Sequence, residues 1–432
     1  MIIMKKKLKK KIPSETLYVK KIENFPENYI LGMDLSSLIA EENSGVKYYN
    51  FENQEKDIFK TWSYVGINYI RIRIWNDRFK NEGVDVGMVA LGNEINDHFC
   101  GETLWPRIVK IMNATSKATR EVLPECLISV HFTNPEREGS MMYFARNLDE
   151  NNLDYDVFSV SYYNVWAGEI SHLNQLNDVA NTYNKKIFIA ETQYPYSRDN
   201  FDEYPNKTPG YDDYLFYPIT VQGQANHIRD LFDYVINIKN SIGVFYWEAA
   251  WIAVGKNWAE NYQKWETYGS GWASSYSYSY DPERYAGMTY GGGAATENQA
   301  LFDSDGKPLE SLKVFNLMKY GNEINIIEDG VEDISINPID FTQSFLLPDK
   351  INVIYTNNHT LSRNAIWNDD IDINKAKNEI KYEMSGTADN IDIKCVFENN
   401  TTGGRRFICS YYIEEKFLSP LKYQYMLKIR EK

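Results

Sequence analysis

Gly87-Met-Val-Ala-Leu-Gly-Asn-Glu94 and Lys186-Ile-Phe-Ile-Ala-Glu191-Thr192 decide how this chain folds. Each is a short apolar run ending in a carboxylate, and such a run bounded by polar residues reads as a strand buried on both faces. Five more runs share the rhythm: Tyr29 to Leu35, Asn68 to Trp75, Leu127 to Phe132, Val157 to Tyr162 and Gly243 to Trp247. Between them lie segments of helical period. Leu104, Ile108, Ile111, Ala118 and Val122 share one face, as do Leu173, Leu176, Ala180 and Tyr183, and then Val221, Ala225, Ile228, Phe232 and Val235. Strands alternating with helices wind in parallel, so the pattern predicts an α/β fold, either a (β/α) barrel or a doubly wound sheet.

In a parallel barrel the C-terminal strand tips converge on one face and build the site. Glu94 and Glu191 both stand on such tips. A glycosidic bond is broken most simply by two carboxyls, one protonated to help the leaving oxygen and one ionised to attack the anomeric carbon. Asn93 is placed to hydrogen-bond the 2-hydroxyl of a sugar. A lone glutamate after a strand more often serves the helix that follows, by favouring its N-terminal dipole. Two of them on strand tips, one preceded by Asn, point to chemistry. His131 closes its strand and suits either a substrate contact or a structural hydrogen bond. Tyr162, Tyr163 and Trp166, with Trp247 before Glu248, suit a sugar platform or core packing.

The chain has 432 residues, 43% of them hydrophobic, enough for a sizeable core. Its 46 Lys plus Arg against 60 Asp plus Glu leave a formal charge of −14, a field that repels phosphate backbones and argues against nucleic acid as a partner. Four cysteines are too sparse for a disulfide scaffold. The N-terminal lysine run, Lys5 to Lys11, is followed by Ile12-Pro13-Ser14 and not by an apolar signal core, and no stretch supplies the roughly 20 apolar residues of a membrane span. Residues 256 to 310, with Ser275-Tyr-Ser-Tyr-Ser-Tyr280, read as a long loop. After a last helix near Ser311 to Lys319, helical period is lost, and Lys350 to Tyr355 and Ile391 to Phe397 read as strands of a sandwich. The expected division is an N-terminal extension 1–27, a barrel 28–321, and 322–432 as an acidic linker around Ile326 to Asp333 followed by the second domain.

Ten motifs in order carry a resemblance. They are Gly32-Met-Asp-Leu-Ser36, Asn68-Tyr-Ile-Arg-Ile-Arg-Ile-Trp-Asn-Asp77, Gly92-Asn-Glu94, His131-Phe-Thr-Asn-Pro135, Ser161-Tyr-Tyr163, Ala190-Glu-Thr192, Thr220-Val-Gln-Gly-Gln224, Phe245-Tyr-Trp-Glu248, Tyr268-Gly-Ser-Gly-Trp-Ala273 and Asn298-Gln-Ala-Leu-Phe-Asp303. Over about residues 28 to 320 the chain resembles glycoside hydrolase family 53, the arabinogalactan endo-β-1,4-galactanases. The resemblance implies a (β/α)8 TIM-type barrel and retaining endo-hydrolysis of β-1,4-galactosidic bonds in (arabino)galactan, the side chains of pectin among its substrates. It implies Glu94 as acid/base, Glu191 as nucleophile, and substrate contacts from Asp34, Arg73, Asn93, His131, Tyr162, Trp166 and Trp247. No cofactor is required. Relatives act outside the cell, which sets an extracellular expectation against an N-terminus without an apolar signal core.

One departure stands out. In the family a helix, a third strand and a second helix separate the strand ending at Asn76-Asp77 from the one ending at Glu94, whereas here only Arg78 to Asp85 intervene. A covered parallel crossover needs a dozen or more residues. About eight extended residues reach roughly 26 Å, enough to return down a strand and step across one missing neighbour. The expectation is a barrel lacking its third strand and flanking helices, with weakened catalysis. The family's calcium loop is echoed by Asn200, Asp202 and Asn206, with Glu297 to complete a structural Ca2+ site. The segment with Trp367 resembles bacterial immunoglobulin-like modules. Two other readings stay open: a non-catalytic glycan-binding pseudoenzyme, and another clan A glycanase such as a mannanase or xylanase.

Overall fold

The apolar runs pair edge to edge as parallel strands in a computed structural model that describes residues 2–3, 10–72, 85–204, 206–209, 213–269, 294–331, 334–335, 347–372, 374–375, 381–389, 391–399 and 407–413. The strands are β1 (Ile2–Ile3), β2 (Ile30–Asp34), β3 (Tyr69–Arg71), β4 (Met88–Leu91), β5 (Leu127–Phe132), β6 (Val157–Ser161), β7 (Lys186–Glu191) and β8 (Ser241–Tyr246). They form one sheet in the order β1-β3-β2-β8-β7-β6-β5-β4. Every ladder from β3 round to β4 is parallel, and only β1 runs antiparallel, on β3. β2 and β6 are buried along their whole length, as helices on the outside and side chains within require. Gly32 sits where a Cβ would fall 2.4 Å from the Phe245 ring, so β2 and β8 approach closely only through glycine.

The sheet curls as in a TIM barrel, but among the described strands no ladder joins β3 to β4. The covering helices are α1 (Leu38–Asn43), α2 (Ile58–Val65), α3 (Trp105–Val122), α4 (Ser140–Glu150), α5 (Asn164–Ala167), α6 (Gln175–Tyr183), α7 (Val221–Val235), α8 (Trp258–Tyr268) and α9 (Val314–Tyr320). In α6 and α7 the buried face is the one the sequence indicates, with Leu176 and Ala180 inside on the first and Ala225, Ile228, Phe232 and Val235 inside on the second. The face read for α3 needs correction. Its core side is Trp105, Ile108, Val109, Met112 and Ser116, while Leu104 and Val122 are 56% and 43% exposed. The small Ser116 hydroxyl finds a carbonyl, that of Asp154 at 2.7 Å, which lets it replace an apolar residue on the buried stripe.

Residues 1–324 form one compact unit and 325–432 another. From residue 10 the N-terminal segment packs into the first unit, burying Ile12, Leu17, Val19 and Ile22 and bonding Ile12 N to Asn316 Oδ1 at 3.0 Å. The second unit is antiparallel: β9 (Glu328–Val331), β10 (Ile334–Ser335), β11 (Lys350–Tyr355), β12 (Thr360–Trp367), β13 (Lys381–Ala388), β14 (Ile391–Asn399) and β15 (Phe407–Ile413), in the order β10-β15-β14-β13-β12-β11-β9. Its core holds Ile351, Val353, Met384, Ile393 and Cys395. The tyrosine-serine run at 275–280 and Arg73 lie outside the described residues.

Candidate active site

Behind β4 the chain turns on Gly92, whose φ of +81° lies where a Cβ would meet Ile95 Cγ2 at 2.5 Å. Glu94 follows with φ 46°, a conformation costly for a residue with a side chain and found mostly where surrounding structure enforces it. The enforcing bond comes from β5, as the His131 carbonyl accepts Ile95 N at 3.0 Å. On the opposite side of the sheet Glu191 ends β7 with its side chain 5% exposed. The β6–β7 ladder shifts register between Val160 and Ser161, and Tyr162 N then bonds the Glu191 carbonyl at 2.9 Å. Such a shift re-aims side chains at a strand tip.

Both oxygens of Glu191 are held. Arg71 Nη1 is 2.7 Å from Oε1, and the Tyr163 hydroxyl donates to Oε2 at 2.9 Å. Arg71 also pairs through Nε with Asp34 Oδ2 at 3.3 Å and donates to the Ala190 carbonyl and to Asn93 Oδ1, at 3.0 and 3.1 Å. Burial alone would lower the guanidinium, but Glu191 and Asp34 beside it hold it above its ordinary range. The Tyr163 phenol is driven well above its usual value, first by burial and then by two carboxylates, Glu191 and Glu94. Tyr163 bonds Glu191 directly, while the Glu94 charge is near enough to act on the same phenol. Glu191 thus has a fixed cation on one oxygen and a donor on the other.

The remaining sequence candidates divide. Asn93 is exposed, its carbonyl oxygen turned to Arg71. Trp166 is 46% exposed and stands 4.9 Å from the Tyr163 ring, ready to take a sugar face. Trp247 is 9% exposed and packs edge-on against Trp251, so it meets the site mostly as a wall. Asp34 is buried beneath Arg71, accepting Ser36 Oγ at 2.9 Å, and braces the guanidinium. His131 is 1% exposed and bonds Ser161 Oγ at 2.8 Å between β5 and β6, the structural of its two readings. Tyr162 is 1% exposed and donates to the Gly168 carbonyl, so it is core and its neighbour Tyr163 reaches the nucleophile. Arg71 was missed as a site residue although it sits in a quoted motif. Alternation along Tyr69-Ile-Arg71-Ile-Arg73 offers two arginines to one face, and of these Arg71 is the one within the described residues.

A second buried carboxyl pair braces the site from behind. Tyr48 Oη contacts both Glu41 Oε2 and the Ala250 carbonyl, the latter at 2.9 Å, and it has one proton to give. A carbonyl only accepts, so Tyr48 donates there and Glu41 donates to Tyr48 as a neutral acid. Burial, with Glu248 nearby, holds the Glu41 carboxyl well above its usual range. Ser37 Oγ then donates to Glu248 Oε2 at 2.7 Å, tying the segment after β2 to the turn that carries Trp247.

Of the predicted cation residues, Asn200, Asp202 and Glu297 come together. Asp202 is fully buried and Glu297 nearly so; burial raises both carboxyls, and the Asp202 charge adds to the rise of Glu297, to about 9. Asp202 accepts from Tyr204 N, Ala294 N and Asn261 Nδ2, while Glu297 Oε1 accepts Phe201 N at 2.5 Å. Glu297 Oε2 and Asn206 Oδ1 are buried with no hydrogen-bond partner among the described residues. Asn200 spans the turn, accepting Asp202 N and donating to the Tyr204 carbonyl at 2.6 Å. Among the described residues no cluster of three or more His, Cys, Asp or Glu side chains forms a metal site.

The chain matches the family model described as Glycosyl hydrolase family 53 over residues 30–82 and 77–315. The protein named Endo-beta-1,4-galactanase from Bacillus subtilis (strain 168) is 39% identical over 400 residues, covering 74% of this chain and 93% of that one. Arabinogalactan endo-beta-1,4-galactanase from Cellvibrio japonicus (strain Ueda107) is 30% identical over 182 residues, covering 38% of this chain and 47% of that one. Among solved structures the Ignisphaera aggregans GH53 catalytic domain superposes with a TM-score of 0.56 at 24% identity, covering 70% of this chain and 99% of that one, a likeness of fold.

Proposed function

The chain belongs to glycosyl hydrolase family 53, and from that premise we propose that it hydrolyses β-1,4-galactosidic bonds within galactan by double displacement. The observation that carries the reading is Glu191 at the tip of β7, its two oxygens held by Arg71 and Tyr163, with Glu94 on the turn after β4 in the same parallel sheet. Glu191 attacks the anomeric carbon while Glu94 gives its proton to the departing glycosidic oxygen, leaving a galactosyl ester on Glu191. Glu94, now ionised, takes a proton from water. That water attacks the same carbon, and Glu191 leaves as a carboxylate. Arg71 keeps the attacking group charged and oriented, and the amide of Asn93 remains for the 2-hydroxyl. Trp166 offers its face to a neighbouring sugar.

The test is a substrate screen. Purified chain should release short galacto-oligosaccharides from potato galactan and nothing from mannan or xylan. Products from either of the last two, with galactan untouched, would sink the assignment. The side chains of pectin are the natural polymer that carries this linkage, and an extracellular site of action suits both the substrate and the disulfide at Cys395, a bond that persists in oxidising compartments. For the second unit, an antiparallel array of short strands with Trp367 on its sheet supports an immunoglobulin-like spacer.

The barrel itself is proposed to lack the family's third strand. The family match is broken into two pieces at residues 77–82, between β3 and β4, where no ladder joins the described strands. The alignment to the Bacillus subtilis protein also runs over more positions than 74% of this chain supplies. A gap beside β4 lets water reach Glu94 from the side, and it removes one wall of the substrate cleft.

A structural calcium ion fits the loop after β7. Hard cations take carboxylate and amide oxygens; Glu297 Oε2, buried and unpartnered near Asp202, is one such donor, and Asn206 Oδ1 on the same loop, also buried and unpartnered, is another. Those three residues would hold the ion, which supplies charge neutralisation for the two acids and no step of the reaction. Without it Glu297 keeps its proton when folded and sheds it when unfolded, so the unfolded state binds fewer protons and stability falls as pH rises from about 4.5 towards about 9. Calcium should raise Tm at pH 7 and flatten that decline, and chelator should restore it. A melting curve indifferent to calcium at every pH rejects the site.

A further inference from the structure

Outside the catalytic centre, two aromatic side chains stand in solvent where packing does not account for them. Tyr214 is 54% and Phe216 is 38% exposed, and their rings stack at 8° with centroids 6.1 Å apart. They alternate on an extended stretch of the loop between β7 and α7, so positions 214 and 216 share a side while Tyr217 turns inward to bond Asp230. The pair is anchored to the active site. Tyr214 N donates to the Val165 carbonyl at 2.8 Å, and Gly168 lies against the Tyr214 ring, where an added Cβ would be 3.5 Å away. Val165 and Gly168 flank Trp166, which touches Tyr163, which holds Glu191. A backbone hydrogen bond thus ties the loop that carries the pair to the segment that carries Trp166.

We propose that the exposed, near-parallel pair Tyr214–Phe216 is a distal contact for the galactan chain, binding one or two sugar residues beyond those at the cleavage point. The proposal rests on the galactanase reading above. Galactose presents on one face a continuous patch of C–H bonds at C3, C4, C5 and C6, because its 4-oxygen is axial, and aromatic faces stack on such patches. Two exposed rings close in sequence offer a sugar chain more apolar area than one. The net charge of −14 favours a neutral polymer over an acidic one. Tyr and Trp suit such contacts because they bring large rigid area with one polar edge.

The experiment compares the full chain with its Tyr214→Ala/Phe216→Ala variant. Both side chains are exposed and the Tyr214 backbone bond survives the change, so Tm should move little. On potato galactan KM should rise about tenfold with kcat nearly unchanged, whereas kcat/KM on galactotriose, too short to reach the platform, should stay the same. Electrophoresis through gels containing galactan reads binding without turnover, and retardation of the variant should weaken in parallel. Equal KM and equal retardation for the two proteins would overturn the platform while leaving the galactanase reading intact. If the unmodified chain neither cleaves galactan nor is retarded by it, the galactanase reading itself falls, and the platform with it.

Discussion

Glu191→Gln is expected to lower galactan hydrolysis by at least ~10⁴-fold, because the amide cannot attack the anomeric carbon and every later step depends on the ester it would form. The chain should remain folded. Removing one partner from a buried ion pair commonly costs about 3–5 kcal/mol, but Arg71 would keep Asp34, the Ala190 carbonyl and Asn93. The loss is therefore chemical, and thermal melting beside the rate measurement separates the two. Azide offers a sharper check. With Glu191→Ala, the small anion can enter the vacated position and restore part of the rate with the product configuration inverted, as expected for a nucleophile. With Glu94→Ala, substrates that carry a good leaving group should retain activity, since they need no proton. Azide rescue of the Glu94 variant with inversion, or none for the Glu191 variant, would exchange or remove the assigned roles.

Inserting a relative's third-strand segment after Arg78 should raise activity by ~100-fold or more. The argument is geometric. Retention needs carboxyls about 5–5.5 Å apart, and a displacement of ~1 Å can cost ~100-fold. Glu94 follows β4, which among the described residues is laddered to β5 alone. Glu191 stands on β7, paired on both sides. The acid/base is thus the less firmly placed of the two. A third protein, the inserted chain with Glu191→Gln, must lose what the insertion gained. Full activity in the chain as it stands, unchanged by the insertion, would show that the barrel tolerates seven parallel strands.

The strands were legible because apolar runs buried on both faces have few other readings, and each of the seven runs read between residues 29 and 247 holds a parallel strand. The α3 face was misread for a physical reason. Spacing alone weighs Leu104 and Val122 as core, yet both sit at the ends of the helix, and Ser116 and Trp105 occupy the buried side instead. The two acids could be found from their place on strand tips. The partners of Glu191 could not. Whether Tyr162 or Tyr163 turns inward depends on the register shift in β6, and no pattern in Ser161-Tyr-Tyr163 encodes that shift. Likewise, Asp34 looks like a substrate ligand until Arg71 is seen to cover it.

The outer edge of β4 has a consequence beyond catalysis. In a barrel without its third strand, as proposed above, Met88 to Leu91 would present a row of backbone donors and acceptors on the side away from β5. β3, on the other side of the gap, has β1 laid against it. Bare strand edges are templates for other chains, which is why natural sheets shield them with charge, proline or covering loops. Self-association through this one edge would join molecules in pairs at low concentration and nucleate insoluble aggregates at high concentration, so the chain's solubility limit, and the yield on expressing it, would be set at β4.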